Sequence, residues 1–302
     1  MVKLPEQSFA TSCKCQATTI EQLSNGIIKV QKQQSHLDLA YFQLYSQIAE
    51  ADLLESLQTK RILNNSAARD LELIGNVEGK SVLEIGPGLG ALSKLLRISG
   101  AQVTVADLIP NYLLPLRADG FECLQVDAQN LSLYESFDVI VLCDVLEHVF
   151  RPYDVLHSAH VALKKNGLIY VRSPIRESLK NYSLLLGYPY EIVHLRTYTS
   201  DLLKRELHSS GFKIKQISRN LATANRQIRN FPVLTRIVLN YSISQNLASH
   251  YSNVWRQRFF NFIAGSDIDL EKTKIRKIFK PLIKIFRLLL MSPGEIAIIA
   301  KK

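Results

Sequence analysis

The chain has 302 residues, 47% of them hydrophobic and 21% charged, with 13 Gly, 10 Pro and 4 Cys. That composition excludes wholesale disorder, a collagen-like repeat and a disulfide framework, and the length is ample for a large buried core. The net charge of +10 is local: residues 1–220 balance to zero, while residues 221–302 hold 14 Lys and Arg against 4 Asp and Glu, so the excess describes one surface and not a nucleic-acid-binding fold.

The four cysteines have no metal-ligand spacing, and no metal is expected. No apolar leader opens the sequence, and no uncharged apolar run reaches the roughly 18 residues a membrane span needs. The expectation is a reduced, cytoplasmic protein. Residues 1–36 are polar and aperiodic and read as a loosely ordered arm. Residues 37–79 read as a helical cap. There Leu37, Tyr41, Leu44, Ile48 and Ala51 share one face of a helix that ends near Leu57. A second helix is expected to start at the cap-type residues Asn65–Ser66 and to carry Leu71 and Ile74 inward.

From Lys80 short apolar runs alternate with amphipathic stretches. The runs are Ser81–Ile85, Gln102–Ala106, Glu122–Val126, Val139–Cys143 and Gly167–Arg172, with helices predicted over Ala91–Ser99, Pro110–Ala118 and Pro152–Leu163. A helix over Ser200–Ser210, a sixth run at Phe212–Ile217 and a seventh at Glu295–Ala300 complete the pattern. Such alternation predicts an α/β, doubly wound, mostly parallel sheet covered on both faces, built from residues 80–220 and 295–302. Residues 221–294 are too many for a loop and read as a helical insertion.

The chemistry concentrates at Val82-Leu83-Glu84-Ile85-Gly86-Pro87-Gly88-Leu89-Gly90, a strand running into a turn with three glycines. Glycine serves where backbone dihedrals are unusual or where a ligand approaches without room for Cβ. The turn falls at the carboxyl end of the first core strand, where open α/β sheets bind ligands, with Glu84 beside it. Asp107 ends the second strand, where a carboxylate can accept both hydroxyls of a ribose. Asp127 ends the third, placed to accept from a purine amine. Three carboxylates on successive strand ends disfavour a pyrophosphate ligand. The residues alone leave two alternatives: glycines used only for packing, and the nicotinamide-dinucleotide pattern through Gly86-x-Gly88-x-x-Ala91.

On these residues, with Phe137-Asp-Val-Ile-Val-Leu-Cys-Asp-Val-Leu-Glu-His148 and His194-Leu-Arg-Thr-Tyr-Thr199, the sequence resembles the class I S-adenosylmethionine-dependent methyltransferases. The resemblance covers roughly residues 78–220 and the last strand. It implies a seven-stranded Rossmann-like sheet whose last strand is antiparallel, S-adenosylmethionine as cofactor and a small-molecule acceptor. Gly86, Gly88 and Gly90 are then expected along the methionine part, with Glu84 and Asp144 beside it. Asp107 is expected at the ribose, Leu108 against adenine, and Asp127 with Ala128 at the adenine edge. The glycine turn is also similar to that of the rRNA adenine dimethylases. Those need an Asn-x-x-aromatic motif after the fourth strand, where this chain has Asp144-Val-Leu-Glu-His148, so no nucleic-acid partner is expected.

An oxygen acceptor must lose a proton, and a positioned base contributes about 10²–10⁴-fold. His148 is the first candidate, at the rim after the fourth strand, and His194 the second; each has a structural alternative in bracing its loop. Glu147 reads as a solvated or loop-bracing carboxylate. The acceptor atom stays open between O, N and C, with a hydroxyl oxygen preferred. A nicotinamide-dependent oxidoreductase and a non-catalytic membrane-associated binding protein remain as alternatives of other classes. Between Lys272 and Met291 an apolar face opposes Lys274, Arg276, Lys277, Lys280, Lys284 and Arg287. This stripe reads as a lid over the site, with peripheral contact to an anionic membrane as the alternative.

Overall fold

The computed structural model describes residues 19–22, 26–31, 42–46, 49, 57–175, 193–220 and 294–302. In chain order its elements are β1 (Thr19–Gln22), β2 (Ile28–Gln31), α1 (Leu57–Ile74), β3 (Ser81–Ile85), α2 (Ala91–Ile98), β4 (Gln102–Asp107), α3 (Pro110–Ala118) and β5 (Glu122–Gln125). A short 3-10 turn (Ala128–Asn130), β6 (Phe137–Cys143), α4 (Pro152–Ala162), β7 (Leu163–Pro174), α5 (Ser200–Ser209), β8 (Lys213–Asn220) and β9 (Glu295–Lys301) follow.

The strands form one sheet in the order β1-β2-β5-β4-β3-β6-β7-β9-β8. β3 pairs in parallel with β4 and β6, and β9 runs antiparallel between β7 and β8. The seven strands expected after Lys80 are all present, with the last one antiparallel. The chain order reverses direction at β3, so the carboxyl ends of β3 and β6 flank the crevice where such sheets take ligands.

Side-chain alternation assigns each face of the sheet a core. Val82, Val105, Val139 and Val141 pack beneath α1, α2 and α3, against Ala67, Leu92, Leu96, Leu113 and Leu116. Leu83, Ile85, Ile140 and Leu142 face the other way, against Val155, Leu156 and Ala159 of α4 and Leu203 and Leu207 of α5. Both faces are apolar because helices cover both, as a parallel sheet requires.

Two expectations from the N-terminal region are corrected. The stretch read as an arm contributes β1 and β2, a hairpin whose second strand lies parallel to β5 and extends the sheet edge. Its cause is the apolar cluster Ile27-Ile28-Lys29-Val30 behind Gly26, which sits at φ 78°; Ile27 is fully buried. The second cap helix begins at Leu57, so Asn65 and Ser66 lie inside it and not at its start. Burial of Ala67 and Asp70, with Leu71 and Ile74 packed on the core, outweighs the weak propensity of the Asn-Asn-Ser run. Residues 42–46 are helical, as the first amphipathic stripe predicts, but the bounds of that helix fall outside the described residues. The insertion, residues 221–293, including the basic stretch from Lys272 to Met291, also lies outside them. Among the described residues no helix is long and apolar enough to cross a membrane.

Candidate active site

The three glycines of the turn after β3 all have left-handed backbone, at φ 70°, 52° and 75° for Gly86, Gly88 and Gly90, yet they do different work. A Cβ on Gly86 would stand 2.7 Å from Cγ2 of Val145, so this glycine lets the loop after β6 close over the turn. A Cβ on Gly90, the N-cap of α2, would be driven into Leu116. The turn and α2 therefore pack closely against Leu116 at this position. Among the described residues no atom lies within 4 Å of the missing Cβ of Gly88, an opening through which a ligand can approach the backbone.

Glu84 lies beneath this turn, 2% exposed, and Ser93 of α2 donates its hydroxyl to Glu84 Oε2. Burial pushes its carboxyl up to about 8, against the opposing hydrogen bond from Ser93. Asp107, at the end of β4, is part-exposed at the mouth of the crevice, and its Oδ1 accepts from the Ile109 amide at 2.8 Å. The surrounding protein pushes that carboxyl up to about 7, by desolvation. Leu108 follows, half-buried. Asp127 accepts from the Gln129 amide at 2.8 Å, and Gln129 Nε2 reaches both its oxygens at 3.1 and 3.0 Å. The Asp127 carboxylate is thereby oriented beside buried Ala128, and each oxygen keeps further acceptor capacity.

Asp144 sits just past β6 in left-handed backbone, φ 56°, a conformation that costs a non-glycine residue energy unless its surroundings enforce it. Here the Asp144 amide donates to the Arg172 carbonyl at 2.9 Å, and Arg172 Nη2 donates to Asp144 Oδ2 at 2.7 Å. Arg172 Nη1 reaches Asp70 Oδ2 of α1 at 2.5 Å, and Tyr170 donates to Asp70 Oδ1 at 2.7 Å. Burial raises the Asp70 pKa, with Arg172 pulling the other way. For Arg172 itself burial works against the charge, but Asp144 and Asp70 outweigh it and keep the guanidinium protonated.

After Asp144 the chain turns tightly, with the His148 amide on the Val145 carbonyl. Arg196 braces this turn, donating to the carbonyls of Leu146, Val149 and Phe150 at 3.2, 2.6 and 3.0 Å. The Leu195 amide bonds the Glu147 carbonyl at 2.8 Å. Glu147 is fully buried and accepts from Ser173 at 3.1 Å, so of the two roles expected of it the solvated one is excluded and bracing stands.

The two histidine candidates, 46 positions apart, come together: their rings meet edge-on with centroids 4.5 Å apart. His148 Nδ1 lies 2.9 Å from the Val193 carbonyl and 2.5 Å from the Tyr45 hydroxyl. A carbonyl oxygen only accepts, so the Val193 contact favours the tautomer with the proton on Nδ1 and Nε2 as the basic nitrogen. Carboxylate and imidazole atoms of Glu147, His148 and His194 all lie within 4.8 Å of one another.

The sequence did not announce Tyr45, Asp70, Tyr170 or Arg172. Two of them left a trace. Asp70 interrupts the apolar stripe Ala67, Leu71, Ile74 at the inward position, and Arg172 is a charge ending a buried strand.

A family model described as a methyltransferase domain matches residues 59–217. The ubiquinone biosynthesis O-methyltransferase of Bordetella pertussis is 30% identical over 194 residues, 60% of this chain and 76% of that protein. The enzyme of the same name from Azotobacter vinelandii is 31% identical over 182 residues, covering 55% and 77%. Among solved structures, the complex of the Haloferax volcanii Trm112 methyltransferase activator with a methyltransferase aligns with TM-score 0.54. The identity is 13% over 87% of this chain and 96% of that one, a likeness of fold alone.

Proposed function

Starting from a chain that belongs to the class I S-adenosylmethionine-dependent methyltransferases, we propose that its acceptor is a small aromatic molecule and that the methyl goes to a phenolic hydroxyl, with His148 accepting the proton. The observation that carries this reading is the Val193 carbonyl 2.9 Å from His148 Nδ1, which leaves Nε2 as the basic nitrogen. Imidazole suits a phenol better than an aliphatic alcohol, whose proton is held far too tightly for a base near neutral pH. The relatives named as O-methyltransferases of ubiquinone biosynthesis support oxygen as the acceptor atom.

S-adenosylmethionine supplies an electrophilic methyl on a sulfonium, so that the O–C bond forms as the S–C bond breaks and the electron pair stays on sulfur. The chain's part is to bind, align and deprotonate. The open backbone at Gly88, with Gly86 beside it, fits the methionine portion. Asp107 is proposed to accept from both ribose hydroxyls, Leu108 to cover an adenine face, and Asp127 with Ala128 to meet its edge. Asp144, held by Arg172, would face the amino-acid end. Glu84, buried beneath the turn and held by Ser93 of α2, supports the turn from below. His148 takes the hydroxyl proton on Nε2, and the braced turn fixes where that nitrogen stands. The segment between Lys272 and Met291 is proposed as the lid over the acceptor.

The test is methyl transfer from labelled S-adenosylmethionine to a panel of catechols and hydroquinones. Product is expected with wild type, and at least a hundredfold less with His148→Gln under conditions where the variant still binds S-adenosylhomocysteine. Equal rates in the two proteins would remove His148 from the chemistry.

A further inference from the structure

Tyr45 belongs to the helical segment 42–46 that precedes the sheet, 103 residues before His148, yet its hydroxyl lies 2.5 Å from His148 Nδ1 and donates to the Val193 carbonyl at 2.8 Å. Val193 O is also 2.9 Å from Nδ1. These three contacts fit one proton arrangement. Tyr45 spends its hydroxyl hydrogen on the carbonyl, and its oxygen, together with that carbonyl, faces the proton on Nδ1. The Tyr45 ring also stands edge-on to the imidazole, at 85° with centroids 5.7 Å apart. Residues from the N-terminal cap, the loop after β6 and the segment before α5 thus meet at one nitrogen.

We propose that Tyr45 is a positioning residue for methyl transfer, which fixes the tautomer and direction of His148 and makes the N-terminal cap a working part of the active site. This rests on the reading of His148 as the proton acceptor. When the acceptor's O–H bond breaks, its proton goes to Nε2 and the ring becomes an imidazolium with a positive Nδ1–H. Two oxygens accepting from that Nδ1–H bond it more strongly in the cation than in the neutral ring, so they favour proton uptake. Among the described residues, the polar groups around the ring include the His194 imidazole and the Glu147 carboxylate, with Arg196 bonded to the carbonyls of the turn. Tyr45 differs from these in coming from the helical segment 42–46, outside the alternating core.

The experiment is nitrogen-15 NMR of the full chain labelled at histidine, comparing wild type, Tyr45→Phe and Tyr45→Leu, with the His148 signals identified by their loss in His148→Gln. In wild type the Nδ1 resonance is expected to stay protonated while Nε2 titrates. In Tyr45→Phe the neutral ring is expected to gain the Nε2–H tautomer and to titrate at lower pH, with kcat towards a catechol down about tenfold and KM for the cofactor unchanged. Tyr45→Leu should match Tyr45→Phe if the hydroxyl is what acts. Unchanged His148 shifts and titration in Tyr45→Phe would overturn the proposal, as would a defect confined to Tyr45→Leu, which would make Tyr45 a packing residue. The base reading fails separately: full catechol turnover by His148→Gln sinks it, whatever the ring signals of the Tyr45 variants show.

Discussion

Arg172 Nη2 holds Asp144 Oδ2 at 2.7 Å while the same guanidinium grips Asp70 on α1, so the entrance to the active-site loop is tied to a helix that lies outside the alternating core. Arg172 and Asp70 are each less than a tenth exposed. Removing one partner from such a pair leaves an uncompensated buried charge, a cost of about 3–5 kcal/mol. Arg172→Met is therefore expected to lose about that much stability in urea unfolding. Asp70→Asn should lose less, because the amide oxygen still accepts from Tyr170. Similar losses from both would argue that the hydrogen-bond geometry matters more than the charge.

Glu84 makes the free protein's stability fall with pH. Its folded-state carboxyl sits at about 8 against an ordinary 4.5, so the folded state holds a proton that the unfolded chain has released. The stability this brings is complete below 4.5 and is lost as pH rises to 8, with a slope approaching about 1.4 kcal/mol per unit, then flat above. Asp107, at about 7, adds the same sign over a narrower window. Glu84→Gln should flatten the fall in unfolding free energy between pH 6 and 8, leaving only the share of Asp107. A variant that tracks wild type through that window would place the Glu84 carboxyl in an ordinary range.

With Asp107 as the proposed ribose acceptor, cofactor affinity is expected to have the opposite dependence. Accepting two ribose hydroxyls requires the ionised form, which in the free protein predominates only above about 7. Titration calorimetry should show S-adenosylhomocysteine binding more tightly at pH 8 than at pH 6, by up to about tenfold. Asp107→Asn should bind about ten- to a hundredfold more weakly at pH 8, with no such trend. A pH trend that persists in the variant would belong to another group.

Gly88 and Gly90 separate binding from folding. Gly90→Ala meets Leu116 and a left-handed backbone together, and is expected to cost about 2–4 kcal/mol of stability. Gly88→Ala carries only the backbone penalty, about 1 kcal/mol, but places a methyl in the ligand's approach. Its main effect should be weaker cofactor binding. Thermal melts with and without S-adenosylhomocysteine distinguish the two, since only Gly90→Ala should melt much earlier without ligand while keeping its ligand-induced shift.

The core was legible because its signals are local and redundant. Each strand of the parallel sheet is an apolar run bounded by turn residues, and Glu84, the three glycines, Asp107 and Asp127 stand at strand ends that the alternation itself locates. His148 and His194 were legible as separate candidates, but their contact depends on how two loops fold over the sheet. Arg196 makes that contact by satisfying three carbonyls of the other loop, and no spacing encodes it. Tyr45 was hidden for a similar reason. On the helical wheel it lies next to the stripe of Leu44 and Ile48, and nothing local tells its hydroxyl from that of any amphipathic tyrosine. The β1–β2 hairpin was missed because four-residue strands in a polar stretch show too few periods to stand out.

The most direct test of the account is the fate of a carbon-13 methyl group. Protein is incubated with methyl-labelled S-adenosylmethionine and a mixture of catechols, hydroquinones and aromatic amines, and the products are read by carbon NMR. Label is expected in a methoxy group of a phenolic product, formed by wild type and nearly absent with His148→Gln. Label on nitrogen or ring carbon, or methoxy product formed as fast by the variant, would contradict it.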